Sequence, residues 1–238
     1  MKNKILFIVA IFIALSIFVG TVYAGSQQTS GVTAQTIIDR ARYYLKDQDA
    51  DPHWPNAELL VHLNYGLIDI ATKSYCLQTT EMITLSTSVS AYAISTAYFD
   101  IEAIVDNSDS GVTNRALIRG NVQSIGHSKT DNNTVKYPDN WVDWGGSVII
   151  YPEPEGNVSG RILTAYLYER PTEIILTGAI VLPPIYEKSL IYYIVKEAFK
   201  KDKQSALFQL YEGFFKEEME SKREFFNKRP KESEEITK

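Results

Sequence analysis

Cysteine, histidine and surplus basic charge are all scarce in this sequence. Cys76 is the only cysteine, which excludes a disulfide framework and a thiolate zinc site. The three histidines, His53, His62 and His127, do not pair at metal-ligand spacing; packed or solvated imidazoles account for them. Lysine and arginine number 24 against 29 aspartates and glutamates, a formal charge of −5. A protein whose main task is gripping phosphates needs the opposite balance, whereas a surface that lets DNA pass without sticking is compatible with it. Motif-borne chemistry is missing as well. There is no G-x-S-x-G elbow and no G-x-x-x-x-G-K-[ST] loop, and Gly145-Gly146-Ser147 has no helical pattern after it to hold an anion.

Apolar material is plentiful. At 238 residues and 45% hydrophobic content, the chain is long enough for one large domain or two small ones. Its first 24 residues differ from the rest: Lys2 and Lys4 precede an apolar run over residues 5–19, followed by Gly20-Thr21-Val22-Tyr23-Ala24 with small residues at Val22 and Ala24. That pattern predicts a secretory leader cleaved after Ala24; the run is short for a membrane span, which needs about 20 residues. An uncleaved N-terminal anchor and a start set too early, with Val32 as the alternative, are the other readings. Setting aside 1–24, which carries Lys2, Lys4 and no acid, lowers the charge to −7. Residues 25–32 read as a linker.

The stretch from Trp54 to Ala71 has the clearest period. Leu59, Leu63, Leu67 and Ile70, widened by Leu60 and Ala71, make one apolar helix face, with Asn56 expected as its N-cap and Trp54-Pro55 fixing the approach. A preceding helix is expected over 34 to about 46, capped by Thr33, with Ile37, Ala41 and Leu45 in one row. Together they predict an N-terminal helical hairpin over 33–80. The period then changes to two. Segments 98–105, 116–125, 134–142, 146–151 and 161–170 are β-rich and separated by turn chemistry, which predicts a β insertion over 81–180 with five to seven antiparallel strands. Its plainest expected hairpin sets Ile149 and Tyr151 against Ile162, Thr164, Tyr166 and Tyr168. Helix returns at Pro183-Pro184, where a proline in the first turn costs nothing, and continues to about Lys200. Asp202 is expected to cap a last helix to about Asn227, the two forming a C-terminal pair over 181–228. A charged tail, 229–238, ends the chain. The predicted fold class is α+β: an antiparallel four-helix bundle formed by N- and C-terminal helix pairs, with an inserted antiparallel β-sheet or sandwich.

Two constellations suggest chemistry. Asp47, Asp49, Asp51 and Glu58 match positions 1, 3, 5 and 12 of a calcium loop, but the glycine that the sharp turn requires is Pro52; a solvated acidic loop is the better reading. Asp139 and Asp143 flank Trp141 and Trp144, a pairing of two carboxylates with aromatics that suits a sugar-cleaving site, yet Pro138-Asp139-Asn140-Trp141 reads as a turn closed by an aromatic lid. Composition and spacing therefore show no catalytic residue, metal site or cofactor site.

A resemblance goes further. Thr33-Ala34-Gln35-Thr36-Ile37-Ile38-Asp39-Arg40-Ala41, then Trp54-Pro55-Asn56-Ala57-Glu58-Leu59-Leu60 and Leu63-Asn64, resemble tailed-phage head-to-tail adaptor proteins, in particular the podophage tail tubular protein A group. Tyr137-Pro138-Asp139-Asn140-Trp141, Val148-Ile149-Ile150-Tyr151-Pro152-Glu153-Pro154, Ala165-Tyr166-Leu167-Tyr168-Glu169-Arg170-Pro171, Leu182-Pro183, Tyr186-Glu187-Lys188-Ser189-Leu190 and Lys201-Asp202 follow in the same order, over about residues 33–228. The resemblance implies a structural virion subunit, not an enzyme and without cofactors. It implies a ring, commonly of twelve copies, beneath the portal, extending the DNA channel to a tail nozzle or the next neck protein. Its site would be the virion neck, assembled in the host cytoplasm. Phe214, Phe215, Phe225 and Phe226, with Arg229, are the candidate surface for portal or neighbour, because they offer more aromatic area than one bundle helix buries; Trp54, Asn56, Trp141 and Pro184 are expected to be structural.

The leader departs from that family pattern, since neck proteins have no use for export. It sustains a second reading, an exported periplasmic or surface binding module of phage-derived fold. A third, an exported hydrolase using Asp139 or Asp143, ranks below both.

Overall fold

The computed structural model describes residues 29–107, 115–125, 137–156 and 158–227, with 124–125 and 223–227 as backbone alone. The expected leader, most of the linker and the tail lie outside the described residues, as do 134–136 of one expected strand. Among the described residues no helix is long and apolar enough to cross a membrane.

Among the described residues the fold is α+β, with four long helices and two four-stranded sheets. Helix α1 spans Ala34–Leu45, and Thr33 caps it as expected, its hydroxyl accepting the Thr36 amide at 3.3 Å. Its first two free amides, on Ala34 and Gln35, donate to the carbonyls of Gly178 and Leu176, so a distant loop supplies partners the helix cannot provide itself. Helix α2 spans Asn56–Ser74 and buries the predicted stripe of Leu59, Leu63, Leu67, Ile70 and Ala71. Asn56 is not its cap. Pro55 holds that position without a side-chain bond, and the Asn56 carboxamide instead accepts from Arg42 at 2.7 Å and donates to Gln35. A guanidinium offers a charge-assisted bond that a backbone amide cannot match.

A 3₁₀ turn, Pro184–Tyr186, leads into helix α4, Glu187–Lys201, with Pro184 at its first position. Helix α5, Ser205–Asn227, follows. Asp202 closes α4 rather than opening α5: its amide donates back to Ala198, and Lys203 then takes a left-handed φ of 57° to reverse the chain. Helix α4 packs against α1, α2 and α5, which is why two of its faces are apolar. Ile37, Leu63, Leu67, Tyr186, Leu190, Ile194 and Phe215 all lie in this helical core.

The strands are β1 (Gln78–Thr84), β2 (Ala91–Ala93), β3 (Tyr98–Asp106), β4 (Arg115–Ala116), β5 (Ile118–Arg119), β6 (Asn140–Trp144), β7 (Ser147–Tyr151) and β8 (Ile162–Glu169), with one turn of helix, α3 (Val122–Ile125), after β5. One sheet runs β1-β8-β3-β4 and the other β2-β7-β6-β5. All pairs are antiparallel except β5 with β6. The expected hairpin of β7 with β8 does not form. Ile149 pairs with Ala91 and Val142, whereas Ile162 pairs with Thr84, so the chain changes sheets between Tyr151 and Ile162. The expected strand 116–125 is likewise broken into β4, β5 and α3. A second hydrophobic core joins the sheets through Ile101, Ile104, Leu117, Trp141, Ile150 and Leu163. Trp141 is fully buried there, and its indole N–H donates to the Leu117 carbonyl at 3.2 Å.

Candidate interaction surface

The connector between α1 and α2 is held by one buried ion pair. Arg42 donates to Asp47 at 2.6 Å, and its other terminal nitrogen reaches Asn56 and the Trp54 carbonyl. Asp47 in turn accepts the backbone amides of His53 and Trp54 at 2.7 and 3.1 Å. Its oxygens are thereby occupied, and it faces inward, away from the calcium-loop arrangement. Trp54 is buried beneath, with the Lys201 ammonium 5.6 Å from its ring centre. Among the described residues no group of three or more histidine, cysteine, aspartate or glutamate side chains could hold a metal ion.

This clamp fixes the end of α1, where the sequence places Tyr43 and Tyr44 off the buried row. Tyr43 is 68% exposed and Tyr44 38%. Tyr44 meets Tyr192 of α4 and Tyr211 of α5 edge-on at 5.9 and 6.3 Å, and Phe214 meets Tyr192 and Tyr211 at 5.5 and 5.7 Å. The result is a continuous aromatic flank across three helices, in the offset and edge-to-face geometries that ring quadrupoles favour. Partial burial raises the Tyr211 phenol above its ordinary pKa, with Tyr44 and Tyr192 adding to the shift. An open groove of about 500 Å³ runs along the flank, lined by Tyr43, Tyr44, Lys46, Gln48, Asp49 and Tyr211.

The structure divides the expected aromatic surface. Phe214 is 38% exposed and belongs to the flank, but Phe215 is buried in the helical core. It packs against Tyr193 at 5.5 Å, and the Lys196 ammonium lies 4.8 Å from its ring. Successive residues point about 100° apart on a helix, so adjacent phenylalanines cannot share one face. The side chains of Phe225 and Phe226, and all of Arg229, lie outside the described residues. Sequence reasoning did not assign Tyr43, Tyr44, Tyr192 and Tyr211 to a surface; the displacement of Tyr43, Tyr44 and Tyr192 from the apolar rows was a readable signal, whereas Tyr211 falls in the row of Leu207 and Phe215.

A buried lysine pins α5 to α4. Lys196 bonds Glu212 at 2.7 Å. Burial alone pushes the Glu212 carboxyl up, but the hydrogen bonds and charges of Lys196 and Lys216 outweigh it and hold the group below its ordinary value. At the far end of the groove flank, Lys188 bonds Glu218 at 2.6 Å. Asp139 and Asp143 make no comparable centre. They sit four positions apart along an extended chain, about 13 Å, wider than either carboxylate spacing used in glycoside cleavage, and Asp143 accepts the Tyr98 hydroxyl at 2.9 Å.

Residues 32–232 match the family model described as SU10 adaptor protein, a span that takes in all four long helices and both sheets. The chain belongs to the SU10 adaptor protein family. It is a phage head–tail adaptor-type protein, a virion component that contacts other virion proteins. A comparison with curated proteins gives no match. For a SU10 adaptor, the exposed aromatic flank is the surface most suited to a neighbour, because clustered tyrosine and phenylalanine are enriched at the centres of interfaces.

Proposed function

We propose that this adaptor acts as one subunit of a ring beneath the portal, of a kind with the tail tubular protein A group, that extends the DNA channel and joins it to a tail nozzle or the next neck protein. The family match across the whole described fold carries the reading. In it the subunit performs no catalysis and uses no cofactor; its work is geometric. The helices would pack side by side in a ring of about twelve, a copy number that rests on the family resemblance alone. The aromatic flank of Tyr43, Tyr44, Tyr192, Tyr211 and Phe214 supplies contact area, and the net charge of −5 keeps passing DNA from adhering.

The test is assembly of the purified chain, alone and with the portal of the same phage, followed by analytical ultracentrifugation and electron microscopy. Rings, or a collar on the portal, are expected. Protein that stays monomeric in both conditions overturns the reading. Intact mass from virion, cytoplasmic and periplasmic fractions separates it from the exported binding module: particle-bound protein is expected, and a periplasmic form cut after Ala24 would favour the module.

A further inference from the structure

The groove at the α1 end offers an exposed carboxylate beside open tyrosine faces, and the chain carries a basic segment that suits both. Asp49 lines the groove, Asp51 follows two positions on, and both are exposed, with no salt bridge among the described residues. Lys46 lines the groove as well and balances Asp49, and Asp51, exposed two positions on in the same connector, adds a second carboxylate to that stretch of chain. The tyrosine faces beside it suit a cation or a proline ring. Immediately beyond α5 the sequence reads Lys228-Arg229-Pro230-Lys231, within the part matched by the family.

That segment cannot reach the groove of its own chain. Tyr211 lines the groove and α5 runs on to Asn227, a further 16 residues and about 24 Å of helix. Even fully extended, residues 228–231 reach at most about 14 Å back from Asn227, which leaves Lys231 about 10 Å short and Arg229 shorter still. A neighbouring copy is under no such limit.

We propose that the Lys228–Lys231 segment of one copy docks in the Tyr43–Tyr44–Tyr211 groove of the next, with its cations on Asp49 and Asp51 and Pro230 against the rings. The contact joins the far end of one α5 to the near end of another. Made in one direction at each joint rather than reciprocally within a pair, it is heterologous, the kind that closes into rings. The inference rests on the ring reading and names the partner of its aromatic flank.

Disulfide trapping in the full-length chain tests it. In a Cys76→Ser background, chains carrying Asp49→Cys are mixed with chains carrying Arg229→Cys and oxidised after assembly. Heterodimers are expected in at least tenfold excess over the same mixture with Met82→Cys replacing Asp49→Cys. Independently, Asp49→Lys with Asp51→Lys should reduce assembly at least tenfold, and combining them with Lys228→Glu, Arg229→Glu and Lys231→Glu should restore it. Assembled rings without that cross-link overturn the inference but leave the ring reading standing. So does a link from Asp49→Cys to the portal, or one formed within a single doubly substituted chain at high dilution. A chain that never assembles, with or without portal, overturns both.

Discussion

Arg42 and Asp47 sit at 8% and 7% exposure, with their strong contacts running from the end of α1 across the connector to the first residue of α2. Replacing Arg42 by methionine keeps its apolar stem but leaves a buried carboxylate without its counter-charge. Arg42→Met should cost about 3–5 kcal/mol in urea unfolding, and adding Asp47→Asn should recover part of that loss because no charge is then left buried alone. His62 makes a different residue-scale prediction. Desolvation lowers its pKa below 6.5, outweighing the attraction of Glu58 and Glu197. The unfolded chain therefore binds the proton more readily, so the contribution of His62 to stability is complete above pH 6.5 and falls as pH drops below it. Unfolding midpoints should decline between pH 7 and 5.5, and His62→Gln should flatten that slope. Neither residue could be assigned from sequence. Asn56 looked like a cap and Asp47 like part of a solvated acidic loop because residue type at a helix end is a local signal, while a guanidinium arriving from another helix is not.

Helices were legible as elements because their buried stripes repeat within one turn, and Leu59, Leu63, Leu67 and Ile70 obey that period in the folded chain. Strand partners were not. Alternation in β7 and β8 states which side of each strand is buried, not which strand lies beside it, and both alternate equally well in separate sheets. Gly66 shows where an element's own preference and its packing disagree. A Cβ there would lie 2.8 Å from Leu190 Cδ1 and 2.9 Å from Tyr193 Cδ1, whereas a Cβ on Gly213 of α5 would meet nothing within 4 Å. Alanine favours helix over glycine by about 1 kcal/mol, but overpacking a filled site costs typically 1–3 kcal/mol. Gly66→Ala should therefore lower stability by about 1 kcal/mol net and Gly213→Ala raise it by about 0.5–1 kcal/mol. Equal stabilisation by both would mean that α2 and α4 are less closely packed than their contacts indicate.

For the whole molecule, the aromatic flank and the two cores must be separable if assembly is the task. Tyr43 is the sharpest probe, because it is 68% exposed and its ring contact among the described residues is with Tyr44, edge-on at 5.8 Å. In an isolated subunit its loss removes almost nothing from either core, so Tyr43→Ser should move the unfolding free energy by less than about 0.5 kcal/mol. In the proposed ring the same side chain would be buried once per interface, where a central aromatic typically carries about 2 kcal/mol or more. That corresponds to roughly thirtyfold weaker association at each joint, repeated around the ring. The concentration needed for assembly should therefore rise at least thirtyfold for Tyr43→Ser, while Ile175→Ser, exposed to 70% but away from the flank, should leave it unchanged. Equal effects from both variants would assign the interface elsewhere, and a loss of stability in Tyr43→Ser would make the flank part of the fold rather than part of the assembly.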